Sequence, residues 1–461
     1  MIEKASTSLD RRIFMLALPA IASNITVPLL GLCDTAITGH LGSGTFLAAV
    51  AAGGTVFNVI LWICGFLRMA TTGLTADALG SRAPGAVSLI LWRSVSLATL
   101  IGLLILCFRS PLLSLFLGII SPGHDVAPLA SLYFNICVWG IPPLLVTLSI
   151  NGWFIGMQDT VRPMAISIFM NLLNVVGSIL AVFPLGAGFK GVAIGTLCAN
   201  WAGLLLALVL LRRFSRNKSV GRPRFRQLVG GSGFRRFFRV SGDLFLRSAC
   251  IMGVSLAITS FGARMGSLTL AVNAVMLQFF IFFSYFMDGF SFAAEAICGR
   301  SAGAGDTSGL RRAVRRLLIW SAAMALIFFI IYLLSSSLIV SLLTDVPEVR
   351  RGVSTFNIFI ILLPPVAVWA FIFDGFFIGL TATRRMFFTT LAAMTAFFAI
   401  ICAAVPGLLF GVDPVTENRA LWCAFLLFLL VRGLGLALQL PSIIRKRASL
   451  LKEKPQRKPA L

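Results

Sequence analysis

The chain has 461 residues, of which 58% are hydrophobic and only 12% charged, with a mean hydropathy of +0.96. That composition excludes a soluble domain, and it repeatedly supplies the ~20 apolar residues that a helix needs to cross a bilayer. The formal charge of +23 raises nucleic acid as a partner. Its placement argues otherwise, because Lys and Arg gather in alternate loops and in the tails, where they set orientation in a membrane.

Twelve apolar segments follow one another, at roughly 13–39, 46–76, 86–108, 129–156, 163–184, 190–211, 237–262, 268–299, 315–343, 353–380, 386–410 and 419–441. They are continuously apolar rather than alternating, which excludes a β-barrel and leaves helices. The fold class expected is an all-α polytopic membrane protein. The first segment is a full span without a small-residue cleavage site, so it is expected to remain as helix one. Spans one, two, seven and eight exceed a single crossing and are expected to tilt or project beyond the hydrocarbon.

Helix one contains Pro19 and Pro28, each of which breaks backbone hydrogen bonding and permits a bend that would gate access, and it carries Asp34 in its later half. After six spans comes a connection from Arg212 to Arg239 rich in Lys, Arg and Gly. It suggests an N-terminal six-helix lobe at 1–211, a basic linker at 212–236, a C-terminal six-helix lobe at 237–441 and a basic tail at 442–461. Six being even, both lobes enter the membrane in the same sense, which makes the repeat parallel. The positive-inside rule places both termini and the linker in the cytoplasm, where the linker could also meet anionic lipid headgroups.

The halves repeat in sequence as well. Asn151-Gly152-Trp153-Phe154-Ile155-Gly156 returns as Asp374-Gly375-Phe376-Phe377-Ile378-Gly379. At nearly the same offset Arg11-Arg12 matches Arg235-Arg236, Leu41-Gly42-Ser43 matches Met265-Gly266-Ser267, Gly80 matches Gly303 and Arg162 matches Arg385. A duplicated membrane chain most often encloses a site between its halves, as in many secondary transporters.

A carboxylate in hydrocarbon is expensive, so Asp34, Asp243, Asp288, Glu295 and Asp374 are the informative residues. Burial disfavours the ionised form of a carboxylate, which lets such a group exchange a proton, and the same oxygens can bind sodium, with Glu295 and Asp374 the candidates. Asp288 and Glu295 lie two turns apart on one helix face, while Asp374 occupies the position mirrored by Asn151. Asp243 and Arg247 are spaced i, i+4, which suggests a local ion pair. Arg68 and Arg432 either pair with the acids or contact an anionic substrate. The nine cysteines fall in spans and form no CxxC, and two histidines, His40 and His124, cannot build a His-based metal site. No cofactor is expected beyond a transported H+ or Na+, and the absence of GxxxxGK[ST] argues against ATP hydrolysis.

Leu16-Ala17-Leu18-Pro19, Ser23-Asn24-Ile25-Thr26-Val27-Pro28-Leu29-Leu30-Gly31 and Asp34-Thr35-Ala36 closely resemble the multidrug and toxin extrusion family, in its DinF branch. The resemblance continues through Arg68-Met69-Ala70-Thr71-Thr72-Gly73-Leu74-Thr75-Ala76, Asp288-Gly289-Phe290, Ala294-Glu295-Ala296 and Asp374-Gly375. It implies an inner-membrane antiporter of two six-helix bundles that exports amphipathic organic compounds as protons or sodium ions enter. It assigns Asp34 to the ion-coupled site of the first lobe, with Asn174 and Thr196 matching the family pattern and Ser178 standing where an Asp is common. Coupling then rests on Asp34 alone or shifts toward Glu295, Asp374 and Asp288.

The expected function is cation-coupled export of amphipathic compounds by alternating access, with H+ favoured over Na+. The partners are a small organic substrate and the lipid bilayer, and a complete pseudo-dimer in one chain makes a monomer the simplest state. A lipid-linked saccharide flippase or an organic-anion exporter is the alternative within transport. An intramembrane aspartyl protease is the remote alternative among enzymes; neither GxSxG nor HExxH is present.

Overall fold

A computed structural model describes residues 2–41, 43–120, 123–218, 227–228, 230–404 and 413–452. Residues 219–226 and 229 of the basic connection, 405–412 after the eleventh span and 453–461 of the tail lie outside the described residues. The described residues form helices and no strand, and twelve stretches are long and apolar enough to cross a membrane, in the positions that hydropathy marks.

The chain divides into two compact units. Leu18–Ser241 forms one, and Met1–Ala17 with Gly242–Leu461 forms the other. Both divisions fall inside helices. The first lies within α1 (Ile2–Gly39), immediately before Pro19, and the second within α10 (Ser232–Arg264). Helix α1 runs through Pro19 and Pro28 without interruption.

The Leu18–Ser241 unit continues with α2 (Gly44–Cys64), α3 (Phe66–Gly80), α4 (Pro84–Cys107), α5 (Arg109–Ile120), α6 (Val126–Cys137), α7 (Ile141–Gly156), α8 (Val161–Val182) and α9 (Phe189–Lys218). The second expected span is thus two helices. The break falls at Gly65, whose N–H donates back to Trp62 O at 3.3 Å, three residues away rather than four. The fourth span breaks similarly at a 3-10 turn, Val138–Gly140, and restarts with proline in the first turn of α7, where a missing N–H is tolerated.

Helix α7 packs on α3, α4 and α9, and α8 lies along α9. The second contact is made close by glycine. A Cβ on Gly191 would meet Val182 N at 2.7 Å, and Gly195 faces Gly177 and the main chain of Ser178. This G-x-x-x-G spacing brings two backbones together where lipid supplies no hydrophobic driving force. Arg93 of α4, buried, donates to the carbonyl oxygens of Leu228, Gln227 and Gly230, all at 2.9 Å, and so fixes that part of the basic connection to this unit.

The other unit contains α11 (Ser267–Gly303), α12 (Thr307–Leu343), α13 (Pro347–Thr355), α14 (Asn357–Gly379), α15 (Thr383–Ala404) and α16 (Pro414–Lys452). Helix α14 is its centre, packed on α11, α12 and α16. Asp306 caps α12, accepting from Gly309 N at 2.7 Å and Ser308 Oγ at 2.8 Å. Those donors hold its carboxyl below the usual aspartate value. The first residues of the chain also belong here: Asp10 accepts from Trp320 Nε1 at 3.0 Å and lies 3.6 Å from Arg316, while Phe14 packs edge-on against Trp320 and Phe290.

The sequence repeat is a packing repeat. A Cβ on Gly156 would meet Thr72 O at 2.7 Å, and one on Gly379 would meet Glu295 O at 2.7 Å. Gly152 likewise abuts the backbone of Arg68, and Gly375 that of Ser291. Backbone conformation repeats too. Gln158 (φ 69°) and Thr381 (φ 52°) follow the two motifs in left-handed conformations, and Arg82 (φ 53°) corresponds to Gly305 (φ 74°).

Candidate ion and substrate sites

In the Leu18–Ser241 unit, Asn174 and Ser178 share one face of α8 and meet α9. Asn174 Nδ2 donates to Thr196 Oγ1 at 3.1 Å, and Thr196 Oγ1 donates to Val192 O at 3.1 Å. Ser178 Oγ lies 3.4 Å from both Asn174 Oδ1 and Val192 O, and its side chain is fully buried. Serine suits this place because Gly195 presses against it, leaving little room for a larger side chain.

Asp34 approaches the same network from α1. Tyr133 of α6, only 6% exposed, lies close to Thr196 and Cys137, and both Tyr133 and Cys137 lie within electrostatic range of Asp34. Ile37, one turn after Asp34, packs in a cluster with Tyr133, Cys137, Val192 and Ala193. Asp34 Oδ1 is buried and has no hydrogen-bond partner among the described residues. Earlier on α1, Thr26 Oγ1 accepts from Asn171 Nδ2 at 2.6 Å, which ties α1 to α8. Asp34, Asn174, Ser178 and Thr196 therefore belong to one neighbourhood. Tyr133 and Cys137 join them without having been singled out by sequence; that the chain has only three tyrosines was the available signal.

In the second unit Asp374 is held by two arginines. Arg247 Nη2 donates to Asp374 Oδ2, and Arg432 Nη2 donates to the same oxygen at 2.8 Å. All three side chains are at least nine-tenths buried. This corrects the i, i+4 pair expected of Arg247 with Asp243: Arg247 reaches across to α14, while Asp243 accepts from Thr383 Oγ1 at 2.8 Å. Helix spacing makes a local pair available, but a buried guanidinium goes where desolvation is best offset, and that is a buried carboxylate.

Asp288 of α11 lies within electrostatic range of Arg432. Glu295, farther along α11, is fully buried, with its backbone under Gly379. Two guanidiniums beside Asp374 would repel a sodium ion there, and no group of three or more His, Cys, Asp or Glu side chains suited to a metal occurs among the described residues. Asn151, the counterpart of Asp374, also has a buried side-chain oxygen without a hydrogen-bond partner among the described residues. Arg68 is half-buried on α3; its carbonyl accepts from Thr72 Oγ1 at 2.9 Å, and Thr72 Oγ1 also lies 3.0 Å from Gly152 O.

The MatE family model matches this chain twice, over residues 19–180 and 244–405. The chain belongs to the MATE family of multidrug and toxin extrusion transporters. Among curated relatives, DNA damage-inducible protein F of Escherichia coli strain K12 is 37% identical over 431 residues, covering 94% of this chain and 92% of that protein. This places the chain in the DinF branch of MATE proteins. Protein DETOXIFICATION 44, chloroplastic, of Arabidopsis thaliana is 25% identical, covering 91% of this chain and 80% of its own. Among solved structures, the Vibrio cholerae MATE transporter VcmN in its bent form superposes with a TM-score of 0.82 at 18% identity, covering 96% of this chain and 99% of that one. The two MATE matches begin at Pro19, just after Leu18 opens one unit, and at Leu244, just after Gly242 resumes the other, so each matched segment lies within one compact unit.

Proposed function

We propose that this MATE protein is a cation-coupled antiporter, driven by H+ rather than Na+, that exports amphipathic organic compounds by alternating access. One observation carries the reading: Asp34 presents a buried, unpartnered carboxyl oxygen beside the Tyr133–Thr196–Asn174–Ser178 network. A proton on that carboxyl removes a buried charge, and its loss restores one, so the two forms favour different packings of α1. Serine at 178 supports a site with a single carboxyl, because it can neither hold a second proton nor balance a cation. Pro19, at the unit division inside α1, is the natural place for the helix to flex, with Pro28 as a second bend.

The distribution of Lys and Arg supports an inner-membrane orientation with both termini and the 212–236 linker in the cytoplasm. A complete repeat pair within one chain supports a functional monomer. The absence of hydrolase motifs supports a transporter with no enzymatic step.

The test is ethidium efflux from proteoliposomes under an imposed proton gradient, then under a sodium gradient. Proton-driven efflux that is lost in Asp34→Asn is expected. Sodium-driven efflux, or wild-type proton-driven efflux in Asp34→Asn, overturns the reading.

A further inference from the structure

The second unit holds an arrangement that an ion pair built only for stability does not need. A guanidinium and a carboxylate in fork geometry spend two donors on two oxygens. Here Arg247 and Arg432 converge on one oxygen, Asp374 Oδ2. Asp374 Oδ1 and Arg432 Nε are both buried and both lack a hydrogen-bond partner among the described residues. A donor and an acceptor are thus left unspent within the same trio, in surroundings where an unmade hydrogen bond is costly. Arg432 therefore keeps a buried donor that Asp374 does not use, and a second anionic group can take it.

The surroundings of Arg432 are aromatic. The Arg432 guanidinium lies over Phe371 at 5.9 Å and over Phe428 at 5.7 Å. Phe371 in turn packs against Phe280 and Phe283, and Phe428 is stacked on Phe425. Cation–π contacts hold the guanidinium plane in place while leaving its edge donors available. A planar cationic fork set among phenylalanines complements a molecule with an acidic head and an apolar body.

We propose that Arg247 and Arg432 form a recognition site for the carboxylate or sulfonate of an amphipathic substrate, with Asp374 as a built-in counter-ion that gives up its place when that substrate binds. This rests on the exporter reading above and names a substrate class for it. Asp374 keeps the two cations compensated while the site is empty, since an uncompensated buried charge is strongly destabilising.

The experiment compares binding of dansylglycine and of its neutral amide to the purified full-length protein in detergent, read by dansyl fluorescence. The wild type is expected to bind the acid at least about tenfold more tightly than the amide, a typical gain for a charge-assisted fork. Arg432→Gln removes this preference, and Arg432→Lys, which keeps the charge but not the fork, removes most of it. Asp374→Asn, by withdrawing the competing carboxylate, tightens binding of the acid and leaves the amide unchanged. Equal binding of acid and amide by the wild type, or weaker binding of the acid by a folded Asp374→Asn protein, overturns the proposal. Proton-driven ethidium efflux by the same wild-type preparation separates the two readings: efflux without acid preference overturns this inference and leaves the exporter reading standing.

Discussion

Gly379 lies against the main chain of Glu295 so closely that a methyl group on it would meet the Glu295 carbonyl oxygen at 2.7 Å and the Gly299 nitrogen at 3.0 Å. These obstacles are backbone atoms, which cannot swing aside as a side chain can. Gly379→Ala is therefore expected to destabilise the protein by about 1–3 kcal/mol through overpacking. Gly242→Ala, on α10 with nothing within 4 Å of the added methyl, is the neutral control. Thermal unfolding in detergent compares them, and equal melting temperatures would contradict the close packing of α14 on α11.

Tyr133 offers a way to probe the Asp34 neighbourhood without touching the carboxyl. Tyr133→Phe keeps the ring packed in its cluster and removes the hydroxyl that lies close to Thr196 and Cys137. Stability is expected to fall by only about 0.5–1.5 kcal/mol, the worth of one hydrogen bond, while proton-driven efflux slows. Unchanged efflux in proteoliposomes would remove Tyr133 from the site.

Asp374 stands in a different energetic position. Removing it takes a shared carboxylate from two guanidiniums that are each 5% exposed. Asp374→Ala is expected to cost about 3–5 kcal/mol, as loss of one partner of a buried pair does. Because all three residues form one network, Arg432→Met combined with Asp374→Ala should cost less than the sum of the two single changes. A double-mutant cycle on chemical unfolding measures the coupling, and additivity would mean that the pair is not formed.

Thr381 is β-branched and sits at φ 52°. Left-handed backbone at such a residue costs about 1 kcal/mol or more. Thr381→Gly is expected to raise the melting temperature, and Gln158→Gly, at the matching turn of the other unit, to raise it less. A lowered melting temperature in both would show that the turn is held by side-chain contacts instead of being strained.

Hydropathy made the twelve spans legible, because lipid forces each apolar run into a helix whatever its neighbours are. The duplication was legible for a similar reason: Gly152, Gly156, Gly375 and Gly379 are fixed by close approach, so the letters persist. Gly305 could be guessed as a left-handed turn, but Arg82, Gln158 and Thr381 adopt the same conformation without its sequence mark. The breaks at Gly65 and Val138–Gly140 were hidden because hydropathy is indifferent to a local change of helix type. Arg247 shows the firmest limit. Spacing offered it Asp243, yet its partner is Asp374 on another helix, and choice among buried carboxylates is made in three dimensions.

The division of α1 before Pro19 bears on how the protein is made. Asp10 and Phe14 are synthesised some three hundred residues before their partners, Trp320, Arg316 and Phe290. The leading segment must therefore wait through most of translation before it can dock, and cutting the gene at the basic connection would leave the later unit without its opening turns. Two independently expressed halves should for that reason assemble poorly, whereas a break that carries Met1–Ala17 along with the second half should be better tolerated.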